Sequence, residues 1–166
     1  MIGYISLIVA TIVLAFLVFR YRPKEKPKEY VFKPAKLDAK EQEFLKFVNQ
    51  GRKENNAVAV KADEFCSLLC QEHNADMVRT GKTVHLDPTD PAVDNNRFVE
   101  LMDRGALGYD EIVGSHFYNV ESAYKAFRRS PSHWKAIIGK GYNACGLNIS
   151  PDVNGNDYYT MIFLKI

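Results

Sequence analysis

The stretch Tyr158-Tyr159-Thr160-Met161-Ile162-Phe163-Leu164-Lys165-Ile166 is apolar at both of its alternating positions. Successive side chains of a strand point to opposite faces, which puts Tyr158, Ile162 and Leu164 on one face and Tyr159, Met161 and Phe163 on the other. A strand with one wet face alternates apolar and polar residues, whereas a strand apolar on both faces is covered on both. Helices must therefore lie above and below this sheet. Just upstream, Cys145, Leu147 and Ile149 alternate in the same way. The turn residues from Pro151 to Asp157 join the two runs as an antiparallel pair.

Further upstream the period changes to that of a helix. Asp38 followed three residues later by Glu41 is an N-terminal capping box, and Phe44, Leu45, Phe47 and Val48 recur at helical spacing up to about Asn55. A second helix is expected from about Lys61, with Phe65, Leu68, Leu69, Ala75 and Met77 inward, and Gly81 stops it. Pro88 and Pro91 mark a loop. A short helix is expected over Arg97 to Asp103, ended by Gly105, another over Val120 to Arg129, and a helical turn after Pro131. Helices first and strands last give an α/β fold, a three-layer α/β/α sandwich around a mainly antiparallel central sheet.

The 166 residues carry 22 Lys+Arg against 20 Asp+Glu, a net charge of +2 that argues against a nucleic-acid partner. With 46% hydrophobic residues the chain is rich enough in buriable surface to exclude disorder. The charge is unevenly placed: Met1 to Phe19 contain none of it. Nineteen helical residues reach roughly 28 Å, close to the hydrocarbon thickness of a bilayer. No Lys or Arg precedes the apolar run and no small-residue cleavage site follows it. Residues 1–19 therefore read as an uncleaved transmembrane anchor, with a cleaved signal peptide as the competing reading. Residues 20–37, with Pro23, Pro27 and Pro34 among many lysines, read as a semi-rigid linker, and residues 38–166 as the folded domain. The basic residues after Phe19 place the domain in the cytoplasm by the positive-inside rule, as does cysteine usage, since three cysteines cannot all pair within the chain and at least one is free.

From Asn49 onward the motifs occur in an order that resembles the CAP superfamily, the cysteine-rich secretory, antigen and pathogenesis-related proteins, in its compact bacterial form. Asn49 and Arg52 in FVNQGRKE match an N-x-x-R element. HNADMVRTGKTVH matches a helix ending in a loop that presents His85, and Arg97 and Gly105 match a downstream pair. GYDEIVG matches a G-E-N-I segment, Ser130-Pro131-Ser132-His133 an S-P-x-H element, and GYNACGLNI with YYTMIFLKI the closing strands. The resemblance implies a central cleft in which two histidines and two acidic residues hold a divalent cation. By position these are His85, His133 and Glu111, with Asp110 as the alternative to Glu111. The second acidic residue has no counterpart, because Phe127, Arg128, Arg129 and Ser130 fill its place and Glu121 lies two turns too early.

Two imidazoles and a carboxylate suit zinc with an open position, and the same groups serve as acid–base pairs. The incomplete set implies a binding module for a lipid, peptide or glycan, its cleft flanked by Trp134 and Tyr109. A metal-dependent hydrolase using the same cleft is the alternative. The family resemblance also favours an extracytoplasmic domain, against the charge rule. Cys66, Cys70 and His73 lie on one helix face and with Cys145 imitate a zinc site. The apolar stripe around them favours core packing instead, with a disulfide to Cys145 as a further reading. Ser130 beside His133 lacks the elbow and the third group of a serine nucleophile.

Overall fold

The computed structural model describes residues 28–85 and 96–166. The helices are α1 (Ala39–Glu54), α2 (Glu64–Thr80), α3 (Asn96–Asp103), α4 (Val120–Arg129) and α5 (Pro131–Ile137). The strands are β1 (Lys61–Ala62), β2 (Gly108–Ser115), β3 (Ala144–Pro151) and β4 (Asp157–Lys165). They form one sheet in the order β1-β3-β4-β2, in which only the short β1 pairs parallel.

Central β4 is buried from Asp157 to Leu164 without interruption, as its doubly apolar pattern requires. Tyr159, Met161 and Phe163 join Phe44 and Val48 of α1, Phe127 of α4 and Ile137 of α5. Ile162 and Leu164 pack with Cys66, Leu69 and Cys70 of α2 and Leu101 of α3. The sheet is thus sandwiched between α1, α4 and α5 on one side and α2 and α3 on the other.

The capping box forms as the sequence predicts: Asp38 Oδ1 accepts from Glu41 N at 2.8 Å, and Glu41 Oε2 accepts from Asp38 N at 2.9 Å. Glu41 does more than cap. Its other oxygen accepts from Asn148 Nδ2 and Ile149 N of β3, tying the start of α1 to the sheet.

The second helix departs from its expected form. It starts at Glu64, capped by Asp63, because Lys61 and Ala62 are spent on β1. Leu68 is 51% exposed and Ala75 lies outward. The buried stripe is Cys66, Leu69, Cys70, His73, Asn74 and Met77, which includes two polar residues. Asn74 is fully buried. Its amide donates to the carbonyls of Asn148 and Tyr158, and its oxygen accepts from Thr160 Oγ1. All three cysteines are buried free thiols packed in core, so the disulfide reading is not realised, and among the described residues no metal-holding cluster forms around them.

Residues 28–37, the part of the expected linker that is described, lie against the sheet edge. Tyr30 Oη and Lys33 N donate to Asp63, Glu64 N to Lys33 O, and Ala35 N to Ala62 O. Phe32 and Leu37 pack against the two core clusters. No helix among the described residues is long and apolar enough to cross a membrane, and the span expected at 1–19 lies outside them. The proline loop at Pro88 and Pro91 lies outside them as well.

Candidate functional site

The site forms where the two helical layers meet the free side of β2. Gly81, in the left-handed region at φ 68°, ends α2 and turns the chain back toward the sheet. Two side-chain pairs then pin residues 83–85 across β2: Thr83 Oγ1 lies 2.6 Å from Ser115 Oγ, and His85 Nδ1 lies 2.9 Å from Glu111 Oε1. Glu111 and Ser115 are four residues apart on a strand and so share a face. A third tie comes from below, where the buried His73 ring places Nε2 2.9 Å from the Val84 carbonyl. His73 positions the residue next to His85, a role its place on an apolar helix face did not reveal.

His133 arrives from the opposite layer. Pro131 opens α5 at its first turn, where a missing N–H costs nothing, and places His133 at the third position of the helix. Its ring stands edge-on to Phe127 at 5.2 Å and lies 5.6 Å from the His85 ring. The two histidines are therefore close enough for one small ligand or ion to touch both. The His133 Nε2 atom is buried and has no hydrogen-bond partner among the described residues.

The acidic pair divides between the faces of β2. Glu111 serves His85, and its side chain is only 6% exposed. Asp110 points to the other layer, where it accepts from Tyr142 Oη at 3.4 Å. Tyr109 shares the Glu111 face and packs against the α2 cluster. Trp134 does not face the histidines. It stands edge-on to Tyr124, with Arg128 5.2 Å above its ring, and a Cβ on Gly51 would strike it. Ser130 Oγ lies 3.3 Å from Ser132 Oγ, with no contact to His133 that would make it a nucleophile.

Environment drives the two imidazoles apart. The hydrogen bond to Glu111 raises the pKa of His85 above its ordinary 6.5, outweighing burial. Burial pushes His133 below that value, and the neighbouring His85 adds to the effect. A raised folded pKa means that His85 adds stability below pH 6.5, lost as pH rises through its folded value. The depressed His133 costs stability as pH falls below 6.5, so the two trends oppose. In an NMR titration of the imidazole carbons, His85 should show its midpoint above 6.5 and His133 below. Glu111→Gln should move the His85 midpoint back down; an unmoved midpoint would refute the pairing.

The donor set is thin for a metal. Among the described residues no three His, Cys, Asp or Glu side chains converge to hold an ion. His85 spends Nδ1 on Glu111, as a carboxylate does when it orients a ligating imidazole from behind. That leaves Nε2 of His85, beside the buried His133 Nε2 that has no hydrogen-bond partner among the described residues.

Residues 45–163 match the family model described as the cysteine-rich secretory protein family, CAP. The chain belongs to the CAP family. Its fold recurs in an outer surface protein of Borrelia burgdorferi, with TM-score 0.67 and 19% identity over 80% of this chain and 98% of that one. An extracellular SCP-domain protein of Bacillus anthracis gives TM-score 0.64 and 16% identity over 76% of this chain. A cysteine-rich secretory protein of Staphylococcus aureus gives 0.60 and 15% over the same share. This CAP chain spans only 40% and 38% of those two proteins. At such identities the likeness is one of fold. No curated protein sequence matches the chain.

The N-x-x-R element is structural in this CAP chain. Asn49 exchanges two hydrogen bonds with the backbone of Val60, at 2.8 and 3.0 Å. Arg52 is fully buried and donates to the carbonyls of Val58, Ile137 and Tyr142.

Proposed function

We propose that this CAP domain is a binding module, held to a membrane by residues 1–19 on the extracytoplasmic side, whose cleft around His85, Glu111 and His133 receives a lipid, peptide or glycan group. The observation that carries the reading is the commitment of Glu111 to His85. A hydrolytic metal site needs three protein ligands and an open position, and this cleft offers two imidazole nitrogens. What it offers a ligand is an imidazole at His85 biased by Glu111 toward its charged form, beside one at His133 biased by burial toward its neutral form. The outer-surface and extracellular origin of the fold's neighbours supports the side of the membrane. The charge-free head supports the anchor.

On this reading a divalent cation binds weakly. Calorimetric titration of the full chain in detergent with zinc should give a Kd of about 0.1–1 mM, far above the nanomolar range of complete structural sites. The double variant His85→Ala/His133→Ala should abolish it. Submicromolar binding by the wild-type chain would overturn the proposal that the site is incomplete.

A further inference from the structure

We propose that the face of the domain around Gly105 rests on the lipid bilayer, with Val31, Val99, Met102 and Leu107 in contact with it; this builds on the membrane anchoring argued above. The chain enters the described fold at Lys28, directly against Gly105. A Cβ on Gly105 would run into the Lys28 carbonyl and crowd Tyr30 N, which is why glycine at φ 99° stands there. Nine large apolar side chains are exposed among the described residues, and four of them belong to the two segments that meet here, 28–31 and 99–107. Val31, 76% exposed, follows Tyr30, and Leu107, 65% exposed, lies two residues past Gly105. Met102 accepts the Gly105 N–H at its carbonyl, and Val99 precedes it by one turn of α3. Both are outward, while Leu101 between them is fully buried.

The chain outside the described residues decides what covers this face. Residues 1–19 are charge-free and only Arg20 to Pro27 separate them from Lys28. Eight residues span at most about 28 Å. A tether that short holds the face at an effective concentration of order millimolar, so an apolar contact of millimolar affinity is occupied. Arg20, Arg22, Lys24 and Lys26 bring the tether itself to anionic headgroups. Around the face the charges are mixed, with Arg104 held by Glu100 at 3.1 Å and stacked on Phe65 at 3.6 Å. Contact therefore comes from apolar insertion and tolerates salt. Glu111 follows Leu107 by four residues of β2, about 13 Å. Docking at Leu107 keeps Glu111 within about that distance of the lipid.

The test places tryptophan at Leu107→Trp and, separately, Met102→Trp in the full chain, reconstituted in phosphatidylcholine/phosphatidylglycerol vesicles with brominated acyl chains. Val153→Trp is the control, 99% exposed in the β3–β4 turn. That turn is at the end of the sheet away from Leu107, which pairs beside Lys165. After subtraction of the Trp134 signal, fluorescence at 102 and 107 should fall at least twofold relative to unbrominated vesicles, and that at 153 should not. Chains that float with the vesicles yet show no quenching at 102 or 107 would overturn docking and leave the anchor intact. Equal quenching at 153 would overturn it as well. Chains that fail to float would overturn both readings.

Discussion

Replacing Arg52 with Ala is expected to cost more stability than any change at the cleft. The guanidinium is fully buried and lies over the Phe163 ring at 5.9 Å. Its nitrogens donate to Val58 O at 2.7 Å, Ile137 O at 2.6 Å and Tyr142 O at 2.8 Å. One side chain thus joins α1 to the loop after it, to the end of α5 and to the segment before β3. Truncation leaves three carbonyls without a donor, each worth about 1–3 kcal/mol, and opens a cavity. Water reaches some of them, because two of the three bonds are only part-buried. The net loss should be about 3–5 kcal/mol, or roughly 10–15 °C in Tm for a domain of this size. Arg52→Lys keeps the charge but has one compact head for three diverging acceptors, and should recover less than half. Calorimetry of both variants measures this, and a fall in Tm under about 3 °C for Arg52→Ala would refute the role.

The second large effect belongs to Gly146. It lies on β3 where α2 crosses closest, and an added Cβ would meet the Cys66 backbone carbonyl and come within 2.6 Å of its sulfur. A rigid helix backbone cannot yield as a side-chain tip can, so Gly146→Ala forces α2 off the sheet. The expected cost is about 3 kcal/mol, the upper part of the overpacking range. Gly141→Ala is the matched control. Nothing lies within 4 Å of its Cβ, and its stability should change by less than about 0.5 kcal/mol. Equal denaturant midpoints for the two variants would remove the packing argument.

What the sequence revealed follows from which interactions are local. The capping box needs only Asp38 and Glu41, and α4 runs over Val120–Arg129 as its spacing predicts. The doubly apolar Tyr158–Leu164 run could be nothing but a covered central strand, and it is. The α2 stripe differs from its expected form at Leu68 and Ala75 because the residues facing inward beside Leu69 and Met77 include His73 and Asn74. Asn74 is paid for by Asn148, Tyr158 and Thr160, partners 74 to 86 residues away that no local pattern displays. Strand β2 is hidden from the pattern, since Tyr109, Asp110 and Glu111 break the apolar alternation of a strand that borders a cleft.

The site shows the same division. Motif order brought His85, Glu111 and His133 together, and the fold places them within reach of one another. It did not reveal that Glu111 would turn to His85 while Asp110 turned to Tyr142, because that depends on which face of β2 meets which layer. Nor did it show Trp134 packed toward α1 and α4 rather than toward the cleft.

On the proposed reading this cleft binds without catalysing. The most direct measurement is turnover of a broad panel of peptides and esters by the full chain, with zinc supplied, beside His85→Ala/His133→Ala. No turnover that distinguishes the two is expected. Zinc-dependent hydrolysis by the wild-type chain that vanishes in the double variant would contradict it.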